Sequence, residues 1–133
     1  MEVLVDTSVW SEYFRKNHDL ESDVLNNLKS LVSEGRAILA GTVKQELLSG
    51  IREELRFSKL KDLLAPFPTL LATDKDHILA ATFFNRCRNR GIQGSFVDFL
   101  LCAQAYNNHL SLLSTDKDFI HYGSILPIQL WGQ

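Results

Sequence analysis

The sequence predicts an α/β fold: a mostly parallel, twisted sheet of four to five short strands with helices on both faces. Short apolar runs alternate with longer stretches of helical periodicity along the whole chain. The first run, Val3-Leu4-Val5, is continuously apolar, as in a strand buried on both faces rather than one. With 133 residues, 45% hydrophobic and 23% charged, the chain has the length and composition of one domain with its own core. No Gly-, Ser- or Pro-rich stretch is long enough for a linker, so residues 1–133 read as a single unit.

Each element has its own local warrant. Asp6-Thr7-Ser8 supplies helix N-cap chemistry after the first strand, and a helix is expected to about Lys16. Val24, Leu25, Leu28, Leu31 and Val32 share one face of a second helix, about Ser22 to Ser33, which Gly35 stops. Ala37-Ile38-Leu39-Ala40 is the second strand. Thr42 is expected to cap a helix through Leu48, Gly50 interrupts it, and another helix covers about Arg52 to Leu64. Pro66 and Pro68 break that helix before a third strand, Thr69 to Ala72. A long helix from about Lys75 to Asn89 ends at Gly91, and Gly94-Ser95 opens a helix from about Phe96 to Asn108. Ser111 to Ser114 is the fourth strand, Asp118 to Tyr122 a short helix, and Ile128-Gln129-Leu130 a final edge strand.

Composition excludes several classes of function. A disordered tail, a fibre and a low-complexity linker are ruled out by the apolar content. No apolar run approaches the roughly 20 residues of a membrane-spanning helix, and Met1-Glu2-Val3 lacks the basic start of a signal peptide. The chain is therefore read as soluble and cytoplasmic, without a membrane partner. A net charge of -2 offers no global basic field, so any polyanion must meet a local patch or a bound cation. Cys87 and Cys102 match no metal spacing and read as buried thiols; no two histidines stand at i, i+4.

The acids are more informative. Parallel sheets bind ligands beyond the carboxyl ends of their strands, and Asp6, Asp74 and Asp116 all follow predicted strands. Leu70-Leu71-Ala72-Thr73-Asp74-Lys75-Asp76 nearly repeats Leu112-Leu113-Ser114-Thr115-Asp116-Lys117-Asp118, and spacing alone does not choose between the two. Asp98 sits in an otherwise apolar helix with Gly94, Ser95, Leu101 and Cys102 at the i±3 and i±4 positions, so no local base offsets its charge. Glu46 lies just after the second strand. Several carboxylates without His or Cys form a hard oxygen site suited to Mg²⁺ or Mn²⁺, the ions of phosphoryl transfer.

Rival motifs fail. Asp116-Lys117-Asp118 runs into Phe119-Ile120 instead of the glycine a calcium loop needs, and Asp6-Thr7-Ser8 lacks the second Asp of a haloacid-type phosphatase. No P-loop, dinucleotide fingerprint or Gly-x-Ser-x-Gly is present. Gly91-Ile92-Gln93-Gly94 reads as a helix stop and turn rather than an RNA-binding GxxG loop. Trp10, Tyr13 and Phe14 read as core or interface packing in preference to base stacking. Arg86 and Arg90 share a helix face and are candidate phosphate contacts, against a solvated helix end as the plainer reading.

Taken in order, Val3-Leu4-Val5-Asp6-Thr7-Ser8-Val9-Trp10, Glu46-Leu47-Leu48-Ser49-Gly50, Asp98 with Leu100 to Ala103, and Leu112 to Phe119 resemble the four motifs of PIN-domain nucleases. The resemblance is specifically to the VapC-like toxins of type II toxin–antitoxin pairs. Phe99 and Cys102 depart from that pattern, since smaller residues are usual there. The resemblance implies that the strands before Asp6 and Asp116 are neighbours, that the strand before Asp74 lies toward an edge, and that Asp74 is a capping residue. It implies an Mg²⁺- or Mn²⁺-dependent endoribonuclease, a homodimer, an RNA substrate and a small antitoxin that occludes the site. Asp6 and Asp98 are then the central ligands, Glu46 and Asp116 complete the pocket, and Asp118 is accessory. Thr7 or Ser8, and Thr115, hold the carboxylates from behind. The alternatives are a PIN nuclease engaged in RNA processing and a non-catalytic PIN-like module that binds RNA or protein.

Overall fold

The computed structural model describes residues 1–15 and 23–132. Its elements are β1 (Val3–Val5), α1 (Thr7–Phe14), α2 (Asp23–Ser33), β2 (Ala37–Ala40), α3 (Gly41–Leu48) and α4 (Glu54–Leu64). After them come β3 (Thr69–Leu70), α5 (Asp74–Arg88), α6 (Phe96–Asn107), β4 (Ser111–Leu113) and α7 (Asp118–Gly123). The expected end of the first helix at Lys16 and start of the second at Ser22 lie outside the described residues.

The sheet has four strands in the order β3-β2-β1-β4, and every pairing is parallel. Val3 lies beside Ala37 on one side and Ser111 on the other, so β1 is central and fully buried. The chain steps from β1 to β2 to β3 in one direction, then crosses back past two strands to β4. Because parallel crossovers are right-handed, that reversal sends α5 and α6 to the face opposite α1 to α4. The helices bear this out in their packing: α1 touches α2 and α3, while α5 lies along α6. The strand order reverses between β1 and β4, which is where a parallel sheet opens a crevice at its carboxyl edge.

Packing secures that edge from below. Trp10 is fully buried, stacked on Phe14 at 5.8 Å and edge-on to Phe67 at 4.9 Å, so the aromatic cluster after Asp6 is core rather than a base platform. Leu4, Leu28, Leu39, Leu64 and Leu101 are completely buried, each contributing about 2 kcal/mol by removal from water. Cys87 and Cys102 are buried free thiols, as expected. Phe99 and Cys102, bulky for their motif, are absorbed into this core at 1% and 0% exposure.

Four local expectations are corrected. Residues 128–130 form no strand; Leu130 makes only a single parallel bridge to Leu112. Thr42 does not cap α3, whose N-cap is Ala40, and its buried Oγ1 has no partner among the described residues. Ala72 and Leu71 fall outside β3, which the chain leaves early to reach α5. Asp74 does not cap α5 either. Thr73 is the cap: its hydroxyl accepts the Asp76 amide at 3.2 Å while Asp76 Oδ2 accepts the Thr73 amide at 2.9 Å, a reciprocal box that leaves Asp74 exposed in the first turn.

Candidate active site

Asp6 leaves the end of β1 as the N-cap residue of α1, with extended backbone at φ -72° and ψ 159°. An N-cap aspartate ordinarily turns its carboxylate onto the helix amides; here it makes no such bond. Its Oδ2 instead accepts the Ser114 hydroxyl at 2.8 Å and the Ser8 hydroxyl at 3.1 Å. Ser114 stands just past β4, so the β1–β4 pairing sets this contact between residues 108 positions apart.

The second acid segment folds around the same serine. Ser114 Oγ accepts the Asp116 amide at 2.9 Å, and Asp116 Oδ1 accepts the Asp118 amide at 2.9 Å, turning the chain into α7. Asp118 opens α7 and is exposed, as is Asp116. Beside this segment, α6 presents Asp98 in its first turn, where Ser95 caps the helix by accepting the Asp98 amide at 3.1 Å. Each of Asp98, Asp116 and Asp118 offers an oxygen within 4.8 Å of the others. Glu46 arrives on α3, close enough to Asp6 and Asp98 to feel both charges.

The electrostatics follow. Burial raises the Glu46 carboxyl above its usual range, and Asp6 and then Asp98 push it further, against a lowering influence from Thr7. Burial likewise raises Asp98; the Tyr122 and Ser95 contacts oppose that rise while Asp6 and Asp116 add to it. Thr7 Oγ1 is buried and makes no hydrogen bond of ordinary geometry among the described residues, although it lies near enough to Glu46 to favour the charged form. The crevice thus sets acidic neighbours against the ionisation of Glu46 and of Asp98. Every donor is oxygen, with no thiolate or imidazole, a set that fits a hard divalent cation.

The structure therefore brings together Asp6, Glu46, Asp98, Asp116 and Asp118, and Ser8 donates its hydroxyl to Asp6. Asp74 is elsewhere, at the start of α5 beyond the edge strand β3. Among the described residues the Thr115 side chain holds no carboxylate; its backbone N–H donates to Ser8 Oγ at 3.3 Å and the residue is exposed. Arg86 and Arg90 are exposed near the end of α5, and neither is among the groups that shift Glu46 or Asp98. Arg86 lies over the Phe83 ring at 5.7 Å.

Two residues of the site carried no readable signal. Ser114 looks like a strand-end serine until β1 and β4 are paired. Tyr122 donates its hydroxyl to Asp98 Oδ2 at 2.7 Å, a partner from α7 lying 24 positions downstream. Spacing along the chain ties Asp98 only to residues one helical turn away, and Tyr122 lies far beyond that reach.

Comparison with known proteins agrees with this architecture. Residues 3–125 match the PIN domain family. The chain is 29% identical over 129 residues to VapC ribonuclease Mb1587 of Mycobacterium bovis, covering 96% of each. The same identity and coverage relate it to Ribonuclease VapC11 of Mycobacterium tuberculosis. Among solved structures, VapBC2 from Rickettsia felis bound to a promoter DNA fragment superposes with a TM-score of 0.78 at 17% identity, over 98% of this chain and 97% of that one. FitAcB from Neisseria gonorrhoeae gives 0.75 at 18% identity, over 98% and 99%. With the family matched from the first strand through α7 and its four acidic segments gathered at one crevice, the chain belongs to the PIN-domain family.

Proposed function

We propose that the protein is a divalent-metal-dependent endoribonuclease and the toxin of a type II toxin–antitoxin pair. The observation that carries this reading is the convergence of Asp6, Glu46, Asp98, Asp116 and Asp118 at the β1–β4 switch point. The curated relatives named as VapC ribonucleases support RNA as the substrate, and the solved VapBC structures support an antitoxin partner.

Asp6 and Asp98 are the central ligands for Mg²⁺ or Mn²⁺, with Glu46 and Asp116 completing the pocket and Asp118 accessory. When bound, the cation supplies Lewis-acid activation of water and neutralises charge on the scissile phosphate. Ser8 and Ser114 fix the Asp6 carboxylate so that it need not reorganise during turnover. Glu46, raised by burial and by its acidic neighbours, is suited to take the proton from the attacking water. The homodimer, a cytoplasmic setting and phosphate contacts from Arg86 and Arg90 belong to the same reading. A groove between α1, α3 and α4, lined by Phe14, Leu47, Ile51, Leu60 and Leu63 with Arg15, Arg56 and Lys59 around them, has the apolar floor this reading asks of an antitoxin surface.

The decisive experiment incubates purified protein with single-stranded RNA in Mg²⁺, Mn²⁺ and EDTA, beside Asp98→Asn. Cleavage that requires the metal and is lost in the variant is expected. Cleavage of equal rate in EDTA, or by Asp98→Asn, overturns the reading.

A further inference from the structure

We propose that Tyr122 is a positioning residue of the acidic centre, setting the orientation of the Asp98 carboxylate for its cation, with Gly94 as the space that lets it do so. The inference rests on the metal-centre reading above. Asp98 is fixed at two points. Ser95 fixes its backbone by capping α6, and the Tyr122 hydroxyl engages Oδ2 at 2.7 Å, restraining rotation about the last side-chain bond. A tyrosine hydroxyl stays protonated through the neutral range, so it is a constant donor to an ionised carboxylate. Bonds of this charge-assisted kind are about twice as strong as neutral ones.

The tyrosine is itself immobilised. It is completely buried, its ring 4.9 Å from Phe99 and 5.2 Å from Phe119 by centroid. Phe119 and Tyr122 belong to α7, which begins at Asp118, so the helix that opens with one acid also braces another. Gly94 completes the arrangement. A Cβ at this position would meet the Tyr122 hydroxyl in hard overlap, with Cζ at 2.8 Å and the Phe99 ring edge at 2.9 Å. All three neighbours belong to the bracing group, and none of them can yield without moving the hydroxyl or the ring beneath it. A tyrosine serving only to fill the core would not need its hydroxyl aimed at a carboxylate, nor a residue without a side chain against that hydroxyl.

Tyr122→Phe keeps the ring and removes only the donor. Titration calorimetry with Mn²⁺ should show a dissociation constant raised about tenfold, the lower end of what outer partners of metal ligands contribute. RNA cleavage should fall at limiting Mn²⁺ and return to within about twofold of wild type when Mn²⁺ saturates the variant. Gly94→Ala should reproduce this, and the double variant should be no worse than either single one. Cooperative melting in EDTA shows that each variant is folded; if Gly94→Ala is not, Tyr122→Phe carries the test alone. A Tyr122→Phe dissociation constant within about twofold of wild type overturns the inference and leaves the metal centre intact. Wild-type protein that fails to bind Mn²⁺ overturns both.

Discussion

Ser114 holds Asp6 by its hydroxyl at 2.8 Å, across the central strand pair, while the same oxygen accepts the Asp116 amide. One small side chain therefore sets the distance between two acidic segments that are far apart in sequence. Ser114→Ala removes the donor to Asp6 and the acceptor for Asp116 together. Mn²⁺ affinity should drop about tenfold or more, read by calorimetry, with the strand pairing itself unaffected because β1 and β4 are joined through backbone bonds. An unchanged affinity would mean that Ser8 alone suffices to hold Asp6.

The near-repeat makes a sharper test. Asp116 lies in the acidic cluster, whereas Asp74 is an exposed first-turn residue of α5 beside the edge strand. Asp116→Asn should lower the metal-dependent RNA cleavage rate about a hundredfold, and Asp74→Asn should leave it within about twofold. The reverse ranking in a steady-state assay would place the active crevice at the wrong end of the sheet.

Much of this was legible in the sequence because parallel-sheet proteins write their strands as continuous apolar runs. Val3-Leu4-Val5 is β1 to the residue, the strand expected from Ser111 to Ser114 stops one residue short at Leu113, and the acids that follow both are marked by position. What failed was chemistry that depends on the partner across space. Ile128 to Leu130 has strand-like residues, but the segment makes only one bridge to Leu112 before the described chain ends. Asp74 and Thr42 sit where caps are common, yet Thr73 and Ala40 occupy the capping positions. Tyr122 became visible only when α7 was laid beside α6.

The box at the start of α5 makes a stability prediction away from the crevice. Burial works against the Asp76 charge, but the hydrogen bonds from Asn107, at 2.8 Å, and from Thr73 outweigh it and hold the carboxyl below its usual range. Thr73→Ala should cost about 1 kcal/mol, as the loss of a cap does, and Asp76→Ala about 2 kcal/mol because the tie to α6 goes as well. A carboxyl lowered in the folded state stabilises above the unfolded value near 4 and loses that contribution as pH falls through the folded value. The gap between wild type and Asp76→Ala in urea unfolding should therefore narrow on acidification below about pH 4. A gap that stays constant into strong acid would show that the box contributes through shape alone.

Glu46 and Asp98 in the crevice should behave in the opposite sense. Glu46 is raised first by burial and then by Asp6 and Asp98, and Asp98 is raised first by its own burial. Between the ordinary carboxylate value near 4 and these raised values, the folded protein holds more protons than the unfolded chain. Stability in EDTA should consequently fall as pH rises through that window and level off once both states are ionised. Glu46→Gln removes one of the opposing charges, so its melting temperature in EDTA near neutral pH should equal or exceed that of wild type. Mn²⁺ binds only the assembled crevice and stabilises it by mass action. Wild type should then gain more from saturating Mn²⁺ than Glu46→Gln does, reversing the order seen in EDTA. If instead wild type gains nothing from Mn²⁺ and Glu46→Gln melts lower in EDTA, the Glu46 carboxylate has a structural role in the folded chain. The cation would then have no part in holding the five acids together.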